Sequence, residues 1–214
     1  MDLVNQVKEI VQQKFNKAEG SHDWNHIERV YRIASFIHTQ EGGDLLVIQL
    51  SALLHDISDH KYNGGDWNAG SKESSRILLK LGADNILVDH VSKVVSNISY
   101  KGAGLDENNI PLEAKIVQDA DRLDAIGAIG IARAFAYGGS KNRPLYESTM
   151  KPKFHKTADE YLNSQSHTIN HFYEKLLLLK DRMKTKTGYD LAMERHVFME
   201  KFLNQFYSEW NFNS

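Results

Sequence analysis

Apolar positions recur along this chain at spacings of three and four residues, the pattern of an α-helix with one buried face. Val4, Val7, Val11 and Phe15 form the first such stripe, and Ile27, Val30, Ala34 and Ile37 the second. Segment 44–55 (DLLVIQLSALLH) is apolar on nearly every side, which predicts a helix buried all round. Ile77, Leu78 and Leu81 continue the period, followed by Leu87, Val91, Val94 and Ile98. Pro111 stands where a helix would begin, because its missing N–H is one that a first turn leaves unbonded anyway. From there a helix is predicted over 111–136, with Leu112, Ile116, Ala120 and Leu123 on its inner face. Two long helices are predicted to finish the chain, over about 158–183 and 188–210, with Gly188 between them. Strand-like alternation is hard to find anywhere, so the pattern predicts an all-α fold.

Three stretches break the helical periods and read as loops: 60–70 (HKYNGGDWNAG), 101–110 (KGAGLDENNI) and 137–157 (YGGSKNRPLYESTMKPKFHKT). Apolar helices resume on both sides of each, and no repeat or low-complexity tract is visible. The expected organisation is a single domain over 1–214, with a core motif region of about 20–130 and C-terminal helices of about 158–210.

Composition narrows the class. Hydrophobic residues make up 41% and charged residues 25%, as in folded soluble proteins. No apolar run reaches the roughly 18 residues of a membrane span. The opening MDLVNQVKEIVQQKF is amphipathic and lacks the basic-then-apolar layout of a secretory signal, so a cytoplasmic location is expected. The absence of cysteine excludes disulfides, thiolate metal sites and cysteine nucleophiles. A net charge of −2 argues against long nucleic acid, which calls for a basic excess. A small phosphorylated substrate needs only a local group of cations.

Among ten histidines, position decides which matter. His55-Asp56 closes the buried helix, and a carboxylate taken out of water costs several kcal/mol unless paired or coordinated. SHDWNHIERV (21–30) sets His22 and His26 four residues apart, on one helical face. QDADRLDAIG (118–127) inserts Asp119, Asp121 and Asp124 among expected core residues Ile116, Val117, Ala120, Leu123, Ile126 and Ile129. A divalent cation would compensate such carboxylates, and imidazole nitrogen with carboxylate oxygen suits Mn²⁺, Fe²⁺, Co²⁺, Ni²⁺ or Zn²⁺.

The order His…His-Asp…Asp, with the last aspartate inside ADRL, resembles the HD-domain metal-dependent phosphohydrolase superfamily. SHDWNHIERV, LLHDISDHKY, QDADRLDAIGAIGIARAF and the tail SHTINHFYEKLLLLKDRMKTKTG are similar to its bacterial single-domain branch, over about residues 20–210. The resemblance implies an HD-type helical bundle holding one divalent metal ion (Mn²⁺, Mg²⁺, Co²⁺, Ni²⁺, Fe²⁺ or Zn²⁺) on His26, His55, Asp56 and Asp121. On a helix, Asp119 and Asp121 lie about 200° apart and cannot both reach one ion. The family motif favours Asp121 and leaves Asp119 as the runner-up. Asp124, about 60° from Asp121, is expected to support it from outside the ligand set.

The same resemblance assigns Asp59 the catalytic task of orienting or deprotonating the attacking water. Phosphate oxygens need cationic partners, and the candidates are His22, Lys61, Lys101, Lys141 and Arg143. The implied substrate is a nucleotide, with cleavage of a nucleoside triphosphate to monophosphate and pyrophosphate as the leading form. Two other readings stand beside it. An HD-fold di-iron oxygenase would draw on His22, His60, His90 and His167 or His171, and a non-catalytic nucleotide-sensing module would keep the site without turnover.

Overall fold

A computed structural model describes residues 2–15, 23–58, 68–98, 110–153 and 166–212. Among them are helices and turns with no strand. The helices are α1 (Leu3–Phe15), α2 (Trp24–Glu41), α3 (Leu45–Leu54), α4 (Ala69–Lys80), α5 (Asn85–Ile98), α6 (Leu112–Asp124), α7 (Gly127–Ser140), α8 (Thr168–Glu174) and α9 (Lys186–Trp210). A 3₁₀ segment, Leu176–Arg182, lies between α8 and α9. None of the described helices is long and apolar enough to cross a membrane.

The chain divides into two compact units, Met1–Asp121 with Lys184–Gly188, and Arg122–Met183 with Tyr189–Ser214. In the first unit α3 is buried beyond its first turn: Val47, Ile48, Leu50, Ala52, Leu53 and Leu54 are 0–1% exposed, whereas Leu45 and Leu46, expected inside, are 41% and 39% exposed. It packs against α1, α2 and α5, so Val7 and Val11, Ile27, and Val91, Val94 and Val95 close one core around it. Burying one such side chain is worth about 1.5–3 kcal/mol, and this core fixes the direction in which α3 ends. Asp44 caps the start of α3 by accepting from Val47 N at 3.2 Å.

The second unit is built on aromatics. Phe172 is fully buried and stacks on Phe202 (5.8 Å, 20°), with Phe135 tilted against both rings. Tyr146 meets His167 and Tyr207 edge-on. α7 passes so close to α8 that a Cβ on Gly138 would overlap Thr168 Oγ1.

Four expected boundaries move, and Ile129, expected in the core, is 44% exposed. The helix expected over 111–136 is interrupted after Asp124, where Ala125 N and Ile126 N bond back to Arg122 and Leu123 carbonyls. Gly127 then adopts φ 74°, open to glycine, with the Arg195 side chain packed where a Cβ would stand. Residues 137–140, expected in a loop, continue α7, because Gly138 serves close packing rather than a turn. The helix expected over about 158–183 is α-helical at Thr168–Glu174 and then tightens to 3₁₀, while 154–165 lie outside the described residues. Leu176 and Leu179 are buried in the 3₁₀ segment at its three-residue period. Gly188 does not separate helices. It lies in the first turn of α9, whose cap is Thr185, with Oγ1 accepting from Gly188 N at 3.0 Å.

Candidate metal centre

The site is assembled from helix ends in the first unit. Asp23 caps α2 and its Oδ1 accepts from His26 N at 2.9 Å, placing His26 in the first turn with 1% exposure. His55 follows the last residue of α3. At a helix C-terminus the final carbonyls lack i+4 donors, and His55 Nδ1–H donates to one of them, Ala52 O, at 2.8 Å. That bond fixes the tautomer: Nδ1 carries the hydrogen and Nε2 is left to face the site.

The Nε2 atoms of His26 and His55 point at each other, 3.3 Å apart, with rings at 67° rather than stacked. Asp56 Oδ2 lies 3.5 Å from the first and 3.4 Å from the second. Asp121 Oδ1, from α6, lies 3.6 Å from His26 Nε2. Facing lone pairs this close need a positive charge between them. Donors bound at about 2.1 Å to one ion sit about 3.0 Å apart in an octahedron and about 3.4 Å apart in a tetrahedron, so the His26, His55 and Asp56 atoms fit a divalent cation. His26, His55 and Asp56 form the group that could hold a metal ion among the described residues.

The electrostatics agree. Burial pushes the His55 imidazole down, but Asp56 and then Asp121 outweigh it and raise its pKa to about 9. Without an ion, the carboxylates keep a proton where a cation would sit, and metal binding has to displace it. The imidazoles are 2% exposed, whereas the carboxylates of Asp56 and Asp121 are 24% and 44% exposed, so the cluster opens to solvent on its acidic side.

The three aspartates of α6 go three ways. Asp121 joins the cluster. Asp119 is fully buried and accepts from Lys184 N, Thr185 N and Thr185 Oγ1 at 2.8–3.0 Å, ahead of α9. These donors meet the carboxylate named above as the runner-up ligand. Asp124, expected behind Asp121, is 1% exposed and pairs with Arg133 in the second unit. The extra turn after Leu123 brings that guanidinium to it.

Of the remaining candidates, Lys141 and Arg143 lie together over the Tyr137 ring, at 5.9 and 5.6 Å. His22, Asp59, His60, Lys61 and Lys101 lie outside the described residues. Among the spare imidazoles, His90 stands 3.7 Å from Glu113, and His167 caps α8 by accepting from Asn170 N through Nδ1. His171 is mostly buried. Burial, then the charges of Lys175 and Arg143, lower its pKa to about 3. Sequence reasoning missed the parts of Asp23 and Ala52. An acidic residue just before an amphipathic run is a readable cap signal, whereas a carbonyl has none.

The HD-domain profile matches residues 23–126, a span containing all four clustered side chains. A solved HD-superfamily hydrolase from Bacillus thuringiensis is 39% identical, with a TM-score of 0.77 over 97% of this chain and 96% of its own. This chain belongs to the HD-domain family. It is thereby a member of the HD-superfamily hydrolases. The uncharacterized protein YpgQ of Bacillus subtilis is 35% identical over 202 residues, 94% of this chain and 90% of YpgQ. The structure of YpgQ in complex with ADP superposes with a TM-score of 0.74 at 32% identity, covering 96% of this chain and 94% of that one.

Proposed function

We propose that this HD-domain protein is a divalent-metal-dependent phosphohydrolase acting on a small phosphorylated substrate, a nucleotide. The observation that carries the reading is the convergence of the His26, His55 and Asp56 donor atoms at 3.3–3.5 Å, with Asp121 Oδ1 3.6 Å from His26 Nε2 and the acidic side open to solvent. The complex of its relative YpgQ with ADP supports the nucleotide class.

His26, His55, Asp56 and Asp121 would hold the ion. Bound there, a divalent ion supplies polarisation of a phosphoryl oxygen and a more acidic water. The chain's own residues do the rest. The Ala52 carbonyl holds the His55 ring in its tautomer, and the Asp23 cap holds the start of α2. Asp59 would orient or deprotonate the attacking water, and His22, Lys61, Lys101, Lys141 and Arg143 are the cations proposed to meet phosphate oxygens. With a nucleoside triphosphate, the water oxygen bonds to the α-phosphorus and pyrophosphate leaves.

The test is phosphate and pyrophosphate release from a nucleotide panel, using protein stripped and reloaded with Mn²⁺, Mg²⁺, Co²⁺ or Ni²⁺. Metal-dependent release is expected, with pyrophosphate and monophosphate in equal amounts from triphosphates, and it should vanish in Asp56→Ala. Metal bound at one ion per chain with no release from any nucleotide would refute the reading.

A further inference from the structure

After Leu54 the chain leaves α3 through His55 and Asp56, and each carbonyl of that exit needs a donor. Ala52 O is taken by His55 Nδ1 and Leu54 O by Ile57 N at 3.1 Å. Ile57 O, on the Ile57–Ser58 peptide one residue beyond Asp56, is taken from far upstream: Lys14 Nζ donates to it at 2.5 Å across 43 residues. Lys14 stands in the last turn of α1, whose Val7 and Val11 are packed in the same core as α3. The ammonium is thus delivered by a helix packed in the same core to the turn that follows α3, three residues beyond its last residue.

Nothing in the folding of α1 requires this contact. Its buried stripe is Val7 and Val11, and a lysine at its end could lie in water. Nor is Lys14 simply the partner of a nearby carboxylate. Glu73, held below its usual range first by hydrogen bonding from Arg76, also feels the charge of Lys14, but the bond Lys14 makes is to the Ile57 carbonyl. A held carbonyl at Ile57 fixes the Ile57–Ser58 peptide, the second after Asp56, and so limits how far the backbone carrying Asp56 can turn away from the two Nε2 atoms.

We propose that Lys14 is a positioning residue for the metal centre, acting through the Ile57 carbonyl on Asp56. The inference rests on the metal reading above. Groups that orient metal ligands typically change metal affinity 10–100-fold when removed. Lys14→Met keeps the apolar stem and removes the donor, so its Mn²⁺ affinity, measured by titration with electron paramagnetic resonance of free Mn²⁺, should fall by about that factor. Lys14→Arg restores a cationic donor and should recover most of the loss, whereas Glu73→Gln should bind like the wild type. Circular dichroism and the unfolding midpoint on the same samples should stay near wild type. Equal affinity in Lys14→Met, or an affinity that falls only with the folded fraction, would overturn the inference alone. Failure of the wild type to take up Mn²⁺ would overturn the metal reading and this inference with it.

Discussion

Replacing Asp119 should separate anchoring from ligation on α6. Its carboxylate is fully buried and meets Lys184 N–H, Thr185 N–H and the Thr185 hydroxyl. In Asp119→Ala those donors lose a charged acceptor where water is scarce. A buried group left unsatisfied costs about 1–3 kcal/mol, and the hydroxyl can turn to another acceptor, so the loss should be about 3–5 kcal/mol. That is a large fraction of the 5–15 kcal/mol that holds a typical domain folded. At about 2–4 °C per kcal/mol for a chain of this size, the melting midpoint should drop by roughly 6–20 °C. Urea unfolding gives the energy, and metal analysis of the folded protein gives the second readout, which should stay at the wild-type level. Gly188→Ala provides a cross-check. The added Cβ would press on Asp119 Oδ2 and Thr185 Oγ1, so it should destabilise by itself. Combined with Asp119→Ala it should cost less than the sum, with a coupling of about 1 kcal/mol or more. An unchanged midpoint together with lost metal would refute this reasoning and make Asp119 a ligand.

Arg133→Met should destabilise by about 3–5 kcal/mol, because it leaves the Asp124 carboxylate, 1% exposed, without its guanidinium, and urea unfolding measures this. His171 should make the fold acid-sensitive. Its folded pKa is about 3 against an ordinary 6.5, so the unfolded chain takes up the proton first. The stabilisation is then complete above pH 6.5 and is lost as pH falls from there toward 3, by up to about 1.4 kcal/mol per unit. Urea unfolding at pH 7 and pH 5 should show a gap that narrows in His171→Asn. Gly138→Ala should lower the melting midpoint by several degrees, since its Cβ meets Thr168 Oγ1, while Gly139→Ala, with open space around it, should not.

The chain declares its buried helices because they follow from local periodicity, whereas the four proposed ligands came from the resemblance to the HD-domain family. α3 is apolar on nearly every side, so most of its burial could be read directly, and the rotation between Asp119 and Asp121 showed that both cannot reach one ion, while the choice of Asp121 came from the family motif. What stayed hidden depends on partners distant in sequence. The stop after Asp124 needs Gly127 lying against Arg195, and Gly138 looks like a turn residue until Thr168 is placed beside it. The four-leucine run LLLL in 176–179 suits an α-helix and a 3₁₀ turn equally, and Lys175, at φ −144° and ψ −58°, settles it by leaving the helical region. Asp119 shows the same limit. A buried aspartate signals that something compensates it, but not whether that is an ion or the backbone N–H groups of residues 184 and 185.

The uneven exposure of the four clustered side chains has a kinetic consequence. The nitrogens sit at the back and the carboxylates at the mouth, so an arriving cation meets Asp121 and Asp56 in water before it reaches His26 and His55. It can shed its hydration stepwise along that route, and it can leave by the same steps without any helix unfolding. A site built this way equilibrates with its surroundings instead of trapping an ion during synthesis. The metal carried by the purified protein should therefore follow the last buffer it met, and brief dialysis against a different divalent ion should be enough to exchange it.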